Sequence, residues 1–233
     1  VLRVAMEVRP CAVDTVRYVG EPVAIVLAND RYVAEDATDL VSVDYEVLEP
    51  VIDPERAVAE DAPCLHLDMG SNVVSDRHFS YGDPDAAFAK ADHVVDLTVR
   101  FPRNSCTPLE GYVVRADYDA GDGSYTIRSN FQGPFSLHPV MARSLGVPEP
   151  KLRLISNPDS GGSFGVKQAI FPMIVLCGLA SRLTGRPVAW VEDRLEHLSA
   201  SSSATNRVTH IRAAVTDAGE LLGLDYDQID DVG

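Results

Sequence analysis

Two short stretches carry residue types whose spacing could do chemistry. The first is DSGGSFGVKQ, Asp159 to Gln168, which packs Gly161, Gly162, Ser163 and Gly165 around an exposed-looking Phe164. It follows the strand-like run KLRLISN and precedes an apolar run. Glycine has no Cβ, so a ligand can lie against the backbone there and take hydrogen bonds from its N–H groups, as anions do where a strand turns into a helix. The second stretch is NFQGPF, in which Gln132 follows one strand-like run and precedes a helix-like one. In a β-α-β order both loops sit at strand ends facing the same way, so they can converge on one ligand. Two phosphate motifs fail: Gly165-Val166-Lys167-Gln168 lacks the Gly-Lys-Ser/Thr ending of a P-loop, and G-G-x-x-G is not the dinucleotide pattern G-x-G-x-x-G. The alternative is a tight turn whose glycines only take up positive φ, with Phe164 a plain core residue.

The elements that must hold these loops can be read from periodicity. VRYVGEPVAIVLAND reads as two β-runs broken at Gly20-Glu21-Pro22, RYVAEDATDLV has helical spacing, and VSVDYEVLEP alternates, which makes a small β-α-β unit. The Pro- and acid-rich passage after it has no sustained period and reads as a surface linker. GDPDAAFAKAD begins a helix with Asp83 as N-cap and Pro84 at the first helical position, followed by the strand HVVDLTVRF. VVRADYD and YTIRSN flank AGDG as a hairpin, and PFSLHPVMARSLG gives a helix ending on Gly146. KLRLISN, the apolar helix AIFPMIVLCGLA, the strand VAWVED, a serine-rich loop over Ser199–Ser203 and a hairpin around DAGE complete the order. The chain stops at DDVG straight after a strand and starts as abruptly, so a section of a larger protein, or one polypeptide of a divided unit, is expected.

Composition narrows the function. The 20 Lys and Arg against 35 Asp and Glu give a net charge of −15 with no basic stripe, which excludes a nucleic-acid partner. Four dispersed cysteines without a C-x-x-C pair write neither a zinc nor an iron–sulfur site here, and fit reduced thiols in the cytoplasm. The histidines have no ligand spacing. No signal peptide is visible in VLRVAMEVRP, and the apolar run is too short to cross a bilayer.

Taken in order, V-R-Y-V-G-E-P-V-A-I-V (Val16 to Val26), A-E-D-A (Ala34 to Ala37), V-D-Y-E-V-L-E-P (Val43 to Pro50), T-P-L-E (Thr107 to Glu110), F-Q-G-P (Phe131 to Pro134) and G-G-S-F-G-V-K (Gly161 to Lys167) resemble the molybdopterin-binding large subunit of the xanthine dehydrogenase, aldehyde oxidase and aerobic carbon monoxide dehydrogenase family. The resemblance implies an α+β fold: a hammerhead domain over residues 1–55, a linker over 56–80 and the first part of a molybdenum-cofactor-binding domain over 81–233. It implies an oxidoreductase component that hydroxylates an aldehyde, a nitrogen heterocycle or carbon monoxide with oxygen from water. The expected cofactor is molybdopterin in its cytosine dinucleotide form, with molybdenum held by the pterin and by no protein side chain. Expected partners are the remainder of the molybdenum subunit, an iron–sulfur subunit and an FAD subunit, which carry the electrons away.

By position, Gln132 matches the family glutamine whose amide lies near the metal's oxo ligand. Gly161, Gly162, Ser163, Phe164 and Gly165 match the loop whose main chain reaches the cofactor. Glu110 sits at a family-typical position near the cofactor, although an acid capping a turn explains it too. Lys167 either neutralises cofactor phosphate or is solvated at a helix start. Gln168, on the substrate channel, stands where xanthine-oxidising members carry glutamate, which weighs against purines. The family's general-base glutamate lies beyond the residues present, so this chain alone is expected to be inactive. The alternative from another class is a non-catalytic scaffold or assembly module of such a complex.

Overall fold

Strict alternation of buried and exposed side chains builds the sheet that carries both loops. The computed structural model describes residues 9–231; the opening residues of VLRVAMEVRP and the last two of DDVG, on which the readings of the chain ends rest, lie outside them. In β2 (Val113–Asp119), Val114 and Ala116 are buried while Arg115 and Asp117 face out. In β3 (Ser124–Ser129), Tyr125 and Ile127 are buried beside them. The hairpin joining the two strands is antiparallel with Ala116 opposite Ile127, and Asp119 Oδ1 accepts the Gly121 N–H at 2.8 Å inside its turn. From β3 the chain enters α4 (Pro134–Leu145), closed by Gly146 at φ +69°, and returns as β4 (Leu152–Ser156) parallel to β3. A parallel return needs a crossover, and α4 is that crossover. Consequently residues 130–133 and 157–165 leave the same edge of neighbouring strands.

The apolar run forms α5 (Phe171–Thr184), with Ile174, Val175, Leu176 and Cys177 buried, and it packs on β2, β3 and β5 (Val188–Val191). Residues 166–184 are long and apolar enough to cross a bilayer by length and composition, but more than half of that stretch is buried in the protein's own interior. It is a core helix. Burial also pushes the Cys177 thiol up to about 12, which leaves it an inert core group. The sheet runs β4-β3-β2-β5, with α4 and α5 on its apolar face. Val114, Ile127, Met141, Leu145 and Ile174 fill that layer with no more than 2% exposure. Each contributes about 1.5–3 kcal/mol relative to an exposed side chain.

Two sequence expectations change here. The serine-rich stretch begins inside a helix, because α6 (Arg194–Ala200) runs through Ser199 and ends at Ala200. Asp193 and Glu196 form a reciprocal capping box at its start, at 2.7 Å in both directions. The expected β-α-β unit keeps its helix, α1 (Arg31–Thr38), capped by Asp30, but the flanking runs over 16–30 and 41–50 form no strands. A strand exists through its ladder, and among the described residues these runs pair in no strand ladder, although the Pro22 carbonyl accepts the Ala12 N–H at 2.7 Å; Val23, Ile25, Val41 and Val43 all stay exposed.

Contacts group the residues into two units, one holding 9–46 with 105–203, and the other 47–104 with 204–231. The second contains an antiparallel sheet ordered β1-β6-β7, from β1 (His93–Phe101), β6 (Asn206–Val215) and β7 (Leu221–Asp231). It also contains α2 (Pro54–Ala57) and α3 (Pro84–Ala89), the latter capped by Asp83 with Pro84 first, as its sequence predicts. The passage expected as a linker is fastened internally: the Asn72 side chain accepts the Leu65 N–H at 2.9 Å and donates to the Ala57 and Pro63 carbonyls.

Candidate cofactor-binding site

Three loops of one unit meet beyond the ends of β3 and β4: the TPLEG turn (107–111), the Gln132 loop and the glycine loop. Each is positioned by a different device. The TPLEG turn is held by Arg194 at the start of α6, whose guanidinium donates to the Pro108 and Leu109 carbonyls at 3.0 and 2.7 Å. Behind it Glu192 Oε2 accepts both the Tyr112 N–H and the His197 Nδ1 contact at 2.8 Å, and the His197 ring stands edge-on to Tyr112. Glu192 and His197 are buried, and His197 Nε2 has no hydrogen-bond partner among the described residues. Asn130 joins the turn to β3 by donating to the Gly111 carbonyl at 2.8 Å and accepting the Val113 N–H at 3.0 Å.

The glycine loop carries its conformational strain openly. Gly162 and Gly165 have φ of +100° and +96°, and Phe164 between them is a non-glycine residue at φ +53°. Phe164 gains no burial in return, since it is 73% exposed. A left-handed side chain costs about 1–2 kcal/mol and persists where its surroundings impose it. A Cβ at Gly161 would stand 2.6 Å from Glu110 Cβ, whereas one at Gly165 would meet open space. Gly161 is therefore small to let the TPLEG turn in, and Gly165 is small for its backbone. Among the described residues, the N–H groups of Gly162, Ser163, Phe164 and Gly165 donate to nothing in the chain.

The Gln132 side chain joins the same place. Ser163 Oγ donates to Gln132 Oε1 at 2.5 Å, which leaves the amide nitrogen free to donate outward. Gln168 Nε2 would lie 3.3 Å from a Cβ on Gly133, so it borders the same loop. Thus Gln132, Gly161, Gly162, Ser163, Phe164, Gly165, Gln168 and Glu110 converge as one cluster.

Lys167 is not solvated at a helix start. Its side chain has no solvent exposure, and its ammonium donates to Glu110 Oε2, the oxygen that also accepts the Gly161 N–H at 3.1 Å. The Lys167 hydrogen bond, with help from Asn130 and Gly161, holds the Glu110 carboxyl below its ordinary range against the opposing effect of burial. Glu110 is thereby an inter-loop tie as well as a turn residue. Tyr112, its hydroxyl pKa raised by burial, donates to the Val166 carbonyl at 2.7 Å and closes the loop from below. Sequence reasoning missed the roles of Arg194, Glu192 and His197. The D-x-x-E spacing of Asp193 and Glu196 was the available signal, because it starts the helix that delivers Arg194 and His197.

Residues 65–233 match the molybdopterin cofactor-binding domain, and residues 3–49 match the α/β hammerhead domain of aldehyde oxidase and xanthine dehydrogenase. The chain is 38% identical over 220 residues to the nicotine 6-hydroxylase large subunit of Paenarthrobacter nicotinovorans, covering 94% of this chain and 27% of that protein. It is 37% identical to the carbon monoxide dehydrogenase large chain of Hydrogenophaga pseudoflava, covering 94% of this chain and 29% of that one. Among solved structures, quinoline 2-oxidoreductase from Pseudomonas putida 86 superposes with a TM-score of 0.84 at 31% identity, over 94% of this chain and 28% of that one. The chain therefore spans under a third of the length of these relatives. With most of its length matched, it belongs to the molybdopterin cofactor-binding domain family, preceded by the hammerhead domain of aldehyde oxidase and xanthine dehydrogenase.

Proposed function

We propose that this chain forms one wall of the cofactor site of a molybdenum hydroxylase acting on an aldehyde, a nitrogen heterocycle or carbon monoxide. The carrying observation is the row of free N–H groups at 162–165 beside the free amide of Gln132. Five neutral donors on two hydrogen-bonded loops suit an anionic, oxygen-rich ligand, and the open space at Gly165 lets it approach the backbone. When bound, the molybdenum–pterin group supplies the transfer of water-derived oxygen to carbon and takes up two electrons.

In this reading Gln132 donates to the metal's oxo region without bringing a competing negative charge, which a carboxylate there would do. The Gly161–Gly165 backbone binds the cofactor, and Phe164 turns an exposed apolar face that excludes water beside it. Gln168 borders the substrate channel, where a neutral amide in place of glutamate disfavours purine oxidation. Lys167 makes no direct ligand contact, because its ammonium is buried and committed to Glu110. Residues 1–55 act as the hammerhead domain, 56–80 as its connection and 81–233 as the opening of the cofactor-binding domain. The remainder of the molybdenum subunit completes the site, iron–sulfur and FAD subunits receive the electrons, and the complex works in the cytoplasm.

Nucleotide released on denaturing the native complex tests the proposal. Cytosine nucleotide in about a one-to-one ratio with the large subunit is expected from the cytosine dinucleotide form of molybdopterin. An adenine nucleotide not accounted for by FAD would contradict it.

A further inference from the structure

The geometry points to Glu110 and Lys167 as positioning residues whose ion pair, buried on the lysine side, aims the donor groups of the cofactor site. This rests on the molybdenum-hydroxylase reading above. A lysine ammonium without solvent contact needs a counter-charge, and here that is the Glu110 carboxylate. The same carboxylate oxygen takes the Gly161 N–H, while the Glu110 N–H donates to the Gly161 carbonyl at 3.3 Å, so the two turns are bonded in both directions.

Lys167 reaches the other loop through its main chain, its carbonyl accepting the Gln132 N–H at 3.3 Å. Ser163 then closes the circuit by donating to Gln132 Oε1. Gly161, Glu110, Lys167, Gln132 and Ser163 thus form a closed ring of contacts across three loops. The free N–H groups of 162–165 lie on the segment that this ring pins at Gly161 and at Lys167. With the pair intact, that segment is fixed at both ends in its positive-φ geometry, next to the Gln132 side chain. With the pair broken, Gly161 and Lys167 lose their common anchor, and the donors lose that fixed placement. Neither charged atom needs to touch the cofactor for this. The arrangement is that of a supporting layer around a metal centre, where substitutions typically cost about 10–100-fold in metal affinity or activity.

The test uses the full-length large subunit in its native complex, with the wild type, Glu110→Gln and Lys167→Met compared for molybdenum per large subunit and for the electron paramagnetic resonance signature of the metal they retain. Ile174→Val, a core truncation on α5, serves as the control for stability loss alone. The expected result is about a 10–100-fold fall in molybdenum loading or in turnover per molybdenum for the pair variants, with an altered signature, and unchanged loading and signature in the control. If the folded pair variants load fully, turn over at the wild-type rate and keep the native signature, the positioning role is overturned while the hydroxylase reading stands. A metal-free wild-type complex overturns both. Should Glu110→Gln fail to assemble, Glu110→Asp decides, since it keeps the charge but draws it back by one methylene. Reduced loading with an altered signature then supports the pair, and native values for both overturn it.

Discussion

Gln132 carries most of the proposed chemistry, because its amide is a side-chain donor offered beside a row of backbone donors. Gln132→Glu keeps the shape and replaces that donor with a negative charge. Turnover of the native complex should fall about 10²-fold, the effect of removing one well-placed donor, and steady-state kinetics normalised to molybdenum content checks it. Gly161→Ala is predicted to destabilise by about 1–3 kcal/mol, because its Cβ would stand 2.6 Å from Glu110 Cβ, and the thermal midpoint of the complex reads this. Glu110 adds a pH dependence with a definite sign. Its folded carboxyl lies below the ordinary value of 4.5, so the stability it contributes is present above that value and is lost as pH falls through the lower one. Acid unfolding followed from about pH 5 to 3 should therefore be less steep for Glu110→Gln than for the wild type. The variant's neutral-pH stability should be lower by about 2–3 kcal/mol, less than for a fully buried pair because the carboxylate keeps some solvent contact.

At the scale of elements, the site is a consequence of one crossover. Since β3, α4 and β4 form a parallel unit, the Gln132 loop and the glycine loop must leave the same sheet edge, and α5 backs the strands that fix this edge. Ile174→Ala in the middle of α5 should cost about 2–5 kcal/mol through a cavity under β2 and β3, seen as a lower midpoint in denaturant at unchanged slope. Much of this layer was legible in the sequence. The Val114/Ala116 and Tyr125/Ile127 alternation, the AGDG turn and the glycine stop at Gly146 each rest on local chemistry, and each appears in the fold. What stayed hidden depends on contacts between distant residues. Lys167 reads as a surface residue until Glu110, 57 residues away, supplies its counter-charge. The alternating runs around α1 read as strands although they have no ladder among the described residues, because alternation reports which face could be buried and not whether a partner strand is there. The serine-rich stretch hid a helix whose capping box was overlooked, although Asp193 and Glu196 carry the signal locally.

The whole molecule is an acidic chain of 233 residues that spans less than a third of the nicotine 6-hydroxylase and carbon monoxide dehydrogenase large subunits it matches, and the proposed cofactor wall is one side of a site. The net charge is −15, and the donors of the candidate site are neutral main-chain and carboxamide groups on this anionic chain. Such donors bind an anionic ligand through direction more than through long-range attraction, which makes the three-loop geometry decisive. In the proposed function, this geometry holds a molybdenum cofactor once the rest of the large subunit is present. Molybdenum per large subunit, determined by elemental analysis on the natively purified complex with every co-eluting polypeptide identified, tests it most directly. About one molybdenum per large subunit is expected, and a metal-free complex containing the full-length subunit would overturn the proposed cofactor role.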